Sequence, residues 1–183
     1  MASSEIRPIR IEGNIAFVPL TQGYEAVIDA ADVPLVSAWN WRAQPTRHTV
    51  YAVRTDTSGP KPITVRMHRV ICETSLKVDH VNCDGLDNRR GNLRPATNSE
   101  NSRNARLSKN NTSGVKGVRW NARRGKWEAY LHLNRRLVFF GRFSSLPEAT
   151  AAYAKASQDY HGEFGRTSHA GGVALADYQV PSA

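Results

Sequence analysis

VDHVNCDGLDNRRGNLRPATNSENSRN, residues 78–104, is the stretch on which the reading of this chain turns. Val78 leads into a carboxylate and an imidazole side by side, Asp79-His80. The polar loop NCDGLDNRRGN then reverses the chain, and Leu93-Arg94-Pro95-Ala96 returns as a brief strand. Thr97 or Asn98 can N-cap a helix that carries Asn101 and Asn104. Strand, loop, strand and helix in so few residues can cradle one metal ion. Few structural reasons gather so many Asn, Asp and Arg side chains in one place, whereas metal-assisted chemistry on a phosphate backbone uses all three types. Asp79 offers a hard carboxylate oxygen and Asn101 a hard amide oxygen, which suits Mg²⁺ or Mn²⁺ with water and phosphate in the remaining positions. His80 alternates with Asp79 along the strand, so it points away from that ligand and can take a proton from an attacking water.

Working outward, MHRVICETSL precedes the site and forms a short helix or strand from Met67 to Cys72. His68 within it is a second candidate at the phosphate, weighed against a buried structural histidine. Arg69, Arg89, Arg90 and Arg94 are candidates for contact with a nucleic-acid backbone, or else solvated charges. Further upstream, Gly13-Asn14 between two apolar runs signals a hairpin. Asp29 is a candidate N-cap for a helix carrying Val33, Val36 and Trp39. Trp39 and Trp41 read as core. Thr49–Arg54 and Ile63–Met67 read as strands joined by the turn-rich DTSGPKP. The N-terminal third is therefore a small, mainly antiparallel sheet region with one helix.

Downstream, RNARLSKNNTS reads as a helix end running into a linker. A second unit follows. Val115–Trp120 is its first strand, and Lys126–Leu133 its second. In that second strand Trp127, Ala129, Leu131 and Leu133 share one face, and Lys126, Glu128, Tyr130 and His132 the other. Asn134-Arg135 turns the chain into a third strand, Arg136–Gly141. Ser145-Leu146-Pro147-Glu148 is a capping box for a helix with Ala149, Ala152, Tyr153, Ala156 and Tyr160 on one stripe. That helix covers one face of the sheet. The other face and its turns present Arg119, Arg123, Arg124, Lys126, Tyr130, His132 and Arg136, a basic surface that can enter the major groove of duplex DNA.

The chain has 183 residues and a formal net charge of +9, so the partner expected is polyanionic. Apolar runs such as LVFF are too short to span a bilayer, and Glu5, Arg7 and Arg10 stand where a signal peptide would be apolar. The expected setting is the cytoplasm of a bacterial or phage-infected cell, without membrane contact. Cys72 and Cys83 have no CxxC neighbour and read as two free thiols in a reducing compartment.

Residues 78–104 resemble the HNH endonuclease family, in the branch found in phages and group I introns. The family's Asp-His pair falls on Asp79 and His80, its central Asn on Asn92, and its third position on Asn101. The resemblance implies that Asp79 and Asn101 bind the metal, that His80 is the general base, and that Asn92 holds the loop by hydrogen bonds to backbone. It implies products with 5′-phosphate and 3′-hydroxyl ends. Residues 114–166 resemble the AP-two/ethylene-response-factor DNA-binding domain through SGVKGVRW, GKWEAYL, FFGRF and LPEATAAYAKASQDYHG. The family's contact positions fall on Lys116, Arg119, Lys126, Tyr130 and His132. Tyr130 and His132 stand where plant members commonly have Glu and Arg, so the plant target sequence does not transfer.

The expected fold class is α+β: a mainly antiparallel N-terminal sheet region with a ββα-metal site, then a separate three-stranded antiparallel sheet with one helix. The expected domains are 1–104 for the nuclease, 105–113 for the linker, 114–166 for the DNA-binding module and 167–183 for a tail. The expected function is a metal-dependent DNA endonuclease of homing or mobile-element type, acting on double-stranded DNA with one Mg²⁺ or Mn²⁺, as a monomer or as a homodimer on DNA. The alternatives are a non-catalytic DNA-binding regulator with a decayed nuclease fold, and an RNA-binding protein.

Overall fold

A computed structural model describes residues 5–108, 110–134 and 136–165. The tail expected at 167–183 lies outside the described residues. The chain is α+β, built from small antiparallel sheets and few helices, and it divides into two compact units on either side of the Asn101–Ser102 bond.

The first unit begins with a meander of β1 (Arg10–Glu12), β2 (Ile15–Pro19) and β3 (Glu25–Asp29). Gly13 has φ +60°, and Glu12 pairs with Ile15, so Gly13-Asn14 forms the two-residue hairpin loop. Alternate residues of β2 and β3 turn inward. Ala16 opposes Ile28 and Val18 opposes Ala26, pairing small with large so that the layer fills evenly. The core continues through Val36, Trp41, Ala52, Met67 and Ile71. Trp41 is fully buried and satisfies its indole N–H on the Val36 carbonyl at 2.9 Å.

The helix expected after Asp29 is shorter than its periodicity suggested. A 3-10 turn at Ala30–Asp32 leads into α1 (Val33–Val36), which stops before Trp39. Asp29 accepts from the Arg90 backbone N–H at 2.7 Å instead of capping the turn. Trp39 is 42 % exposed, with the Arg54 guanidinium 4.2 Å from its ring, so of the two tryptophans Trp41 alone is core.

A second meander comprises β4 (Arg42–Pro45), β5 (Val50–Asp56) and β6 (Ile63–Arg66). It passes directly into α2 (Met67–Cys72), whose Met67, His68 and Ile71 are buried. The hairpin of β7 (Lys77–His80) and β8 (Leu93–Ala96) follows. Then α3 (Asn98–Asn104) begins, with Thr97 and Glu100 forming a reciprocal cap. Glu100 N–H donates to Thr97 Oγ1 at 3.3 Å, and Thr97 N–H donates to Glu100 Oε2 at 2.8 Å.

In the second unit β9 (Val118–Asn121), β10 (Lys126–Leu133) and β11 (Arg136–Phe143) form one antiparallel sheet with β10 in the centre. The long helix α4 (Leu146–His161) packs on it. Ala149, Tyr153 and Ala156 meet Val118, Ala129 and Leu131 in a core of their own. Ser145 Oγ caps α4 by accepting from Glu148 N–H. Tyr160, expected on the buried stripe, is 55 % exposed near the end of the helix. The first strand starts at Val118 and not at Val115, because Gly114 and Gly117 both take positive φ and hold the preceding residues in turns. Ser113, read as linker, is buried and its hydroxyl bonds the Val115 and Val118 carbonyls.

Candidate active site

The loop between β7 and β8 is a scaffold built from its own side chains. Asn82 accepts from Asp84 N–H, Asp84 from Leu86 N–H, and Asp87 from Arg89 N–H. These are successive Asx turns, the local bonds that Asn and Asp make more readily than other residues. Asn92 spans the base of the loop. Its Oδ1 accepts from Asn82 N–H at 3.0 Å, and its Nδ2 donates to Asp87 O at 2.7 Å and to Asn82 Oδ1 at 3.0 Å. The loop thus has ample structural use for its Asn and Asp content. The expectation that few structural reasons gather such side chains therefore does not hold.

The loop is docked on both meanders. Leu86 and Asn88 exchange backbone bonds with Val27 on the edge of β3. Gly85 packs against β5 so closely that a Cβ would lie 2.5 Å from Val50 O and 2.7 Å from the Tyr51 ring. Only glycine fits there.

His80 ends β7 and is buried, at 6 % exposure. Its Nε2 lies 3.3 Å from Asn88 Oδ1. Asn88 donates its Nδ2 to Leu86 O, so its Oδ1 faces His80 as an acceptor. An acceptor in that place favours the neutral tautomer that carries its proton on Nε2. Around it stand His68, with ring centroids 5.0 Å apart, and Tyr51, at 5.9 Å. Burial holds the His80 imidazole below its usual range, against the opposing pull of Asn88 and nearby carboxylates. His68 is driven down to about 3 by burial, then by His80, Arg66 and Arg69. Both rings are neutral at pH 7. Burial likewise raises the Tyr51 phenol.

Asp79 is buried one residue earlier, at 5 % exposure. Register puts it opposite Arg94, whose Nε and Nη2 both donate to Asp79 Oδ2, at 3.0 and 2.8 Å. Asn101 is half-buried in α3. Asp79 and Asn101 each carry a hard oxygen donor of the kind that Mg²⁺ and Mn²⁺ take. Among the described residues no group of three or more His, Cys, Asp and Glu side chains comes together that could hold a metal by itself.

The arginines expected at a DNA backbone all have partners within the protein. Arg94 is on Asp79. Arg89 forms a bidentate pair with Asp87, and Arg90 with Asp32. Arg69 donates to the Thr74 and Leu76 carbonyls. Arg89 and Arg90 keep 47 % and 58 % of their side chains exposed, whereas Arg94 keeps 13 %. Tyr51, Asn88 and Arg66 were not picked out from the sequence. Arg66 precedes α2 and its guanidinium lies 6.0 Å from the Tyr51 ring. No local motif marks Tyr51. It reaches the site because β5 runs under the loop.

In the second unit, Lys116 Nζ donates to the Arg103 and Ala105 carbonyls, where it neutralises a helix end, and Lys126 Nζ donates to Ser144 Oγ. Arg123 and Arg124 are exposed in the β9–β10 turn, and Arg136 is exposed at the start of β11. Arg119, Tyr130 and His132 share the sheet face away from α4, with the Arg119 guanidinium 5.2 Å from the Tyr130 ring.

Among the described residues no helix is long and apolar enough to cross a membrane. No protein-family model matches the chain, and no solved structure matches it. Protein 3.8 of Escherichia phage T7 is similar to it, with 34 % identity over 89 residues that span 49 % of this chain and 73 % of that protein.

Proposed function

The chain belongs to the family of Protein 3.8 of Escherichia phage T7, and for it we propose a metal-dependent DNA endonuclease that hydrolyses phosphodiester bonds. The observation that carries this reading is His80: a buried, neutral imidazole at the end of β7, with its Nε2 facing Asn88 Oδ1 and adjacent to the buried carboxylate of Asp79. In the proposed reaction His80 takes a proton from a water as the water oxygen bonds to phosphorus and the bond to the 3′ oxygen breaks. Asn92 keeps the loop in shape and touches no reacting atom. A divalent ion held by Asp79 and Asn101 would neutralise the scissile phosphate and stabilise the leaving oxygen. The rings of His68 and Tyr51 pack beside the imidazole.

The second unit is the proposed reader of double-stranded DNA, supported by its basic outer sheet face and the net charge of +9. Being on the same chain, it raises the local concentration of substrate at the nuclease site. Among the described residues there is one such site, so cutting both strands takes a homodimer on DNA or two successive nicks. A homing or mobile-element role is the biological setting proposed.

A second reading, a DNA-binding regulator without catalysis, is favoured by one feature. Arg94 holds Asp79 in an ion pair, as a purely structural carboxylate would be held. Incubation of the folded chain with duplex DNA, with Mg²⁺ or Mn²⁺ and with chelator, separates the two. The nuclease reading predicts metal-dependent ends that ligate directly, and loss of cleavage in Asp79→Ala and Asn101→Ala. Full activity in either variant removes that residue from the site.

A further inference from the structure

The outer face of the second unit carries a carboxylate at its centre. Register places Glu128 of β10 between Arg119 of β9 and Arg142 of β11. Glu128 Oε2 accepts from Arg119 Nε and Nη2, at 3.1 and 2.9 Å. Its Oε1 accepts from Arg142 Nε at 3.1 Å and from Asn121 Nδ2 at 2.9 Å. The Glu128 side chain is 4 % exposed, while Arg119 and Arg142 remain 57 % and 43 % exposed. The Arg142 guanidinium lies 4.9 Å from the Phe139 ring, and Phe139 stands directly opposite Tyr130.

A surface selected only to hold phosphates gains nothing from an acid in its middle, because the carboxylate repels the polyanion and cancels one of two cations. The same acid is useful where direction matters more than charge. A guanidinium has five N–H donors in a rigid fork. Arg142 spends only Nε on Glu128, and among the described residues its two terminal amino groups make no other hydrogen bond. Those remaining donors belong to a side chain that is 43 % exposed, on a guanidinium already held by an ion pair and a ring. Fixing it in advance spares the rotamer entropy that a free arginine loses on binding. A fork presenting two donors to a groove matches the O6 and N7 acceptors of guanine.

We propose that Arg142 is a specificity-determining residue that reads a guanine edge in the major groove of duplex DNA, and that Glu128 is the positioning residue that aims Arg142 and Arg119 as a pair. The inference rests on the reading of the second unit as a DNA reader, and it adds two residues that the sequence did not single out for that role.

The test is selection of bound sites from a random duplex library by the full chain, in chelator so that nothing is cut. The wild type, Arg142→Lys, Arg142→Met and Glu128→Gln are compared, with folding checked by circular dichroism. Arg142→Lys keeps the charge but not the fork, and Arg142→Met keeps the stem over Phe139. The expected result is a wild-type site with guanine at fixed positions. Both Arg142 variants then lose the preference at one of these by about 5- to 100-fold. Glu128→Gln weakens the preference at the positions of both arginines. Unchanged preference in the folded Arg142 variants overturns the proposal while leaving the DNA reader standing. Failure of the wild type to bind duplex DNA overturns both.

Discussion

Acidification should unlock the first unit through His68. The ring is 6 % exposed, against Tyr51 and His80, and burial takes its pKa from 6.5 to about 3. The folded state therefore binds the proton less readily than the unfolded chain. The stability this contributes is complete above pH 6.5 and drains away as pH falls toward 3. Between those limits one proton costs about 1.4 kcal/mol per pH unit, so by pH 5 the loss is ~2 kcal/mol and the whole span is worth ~5 kcal/mol. A domain at the low end of the usual range of about 5–15 kcal/mol would have lost most of its stability by pH 4. His68→Phe keeps a flat ring against Tyr51 and His80 and removes the titration. Native-state hydrogen exchange of amides in residues 50–72, corrected for intrinsic rates, reports the opening free energy of β5 and α2 within the full chain. Wild type should lose about 1.4 kcal/mol per pH unit more than His68→Phe between pH 6 and 4.5. Equal slopes in the two proteins would refute the buried neutral histidine.

Three further outcomes are expected. Asn92→Ala strips three hydrogen bonds from a buried loop base and should cost about 2–4 kcal/mol in urea unfolding, with cleavage lost through loop disorder. Gly85→Ala should push the loop off β5, abolishing cleavage while leaving the far-UV spectrum unchanged, because the new methyl meets Val50 O and the Tyr51 ring. DNA affinity should fall steeply with salt, as log K against log salt with a slope near −0.9 for each phosphate neutralised, and a flat response in a filter-binding titration would contradict an ionic interface.

The parts of this fold that local sequence rules govern were readable in advance. The β7–β8 hairpin, β10, the Thr97 and Ser145 caps and the Gly13-Asn14 turn each depend on neighbours a few residues apart. What depended on tertiary register was not. Arg94 looked like a DNA contact because nothing local says that β8 lies with Arg94 opposite Asp79. Tyr51 is 29 positions before His80 and reaches it only because the loop docks on β5 at Gly85. Arg142 was lost by ending the third strand at Gly141, although the strand runs to Phe143, and Glu128 reads as one polar residue of an alternating strand until both neighbouring strands are in place. Trp39 failed for the opposite reason: helical periodicity counted it inward, but α1 ends at Val36. The Asn and Asp content of residues 82–92 was over-read as chemistry, because Asx turns use the same residues.

The central claim is that His80 acts as a base on water beside a metal-dependent site. Its most direct measurement is relaxation of supercoiled plasmid carrying a selected site, by wild type and by His80→Ala, with Mg²⁺ and with chelator, alongside binding to the same DNA. Open-circle or linear product is expected from wild type with metal alone, and none from a His80→Ala protein that binds the DNA equally well. Cleavage by folded His80→Ala at the wild-type rate, or by wild type in chelator, would contradict it.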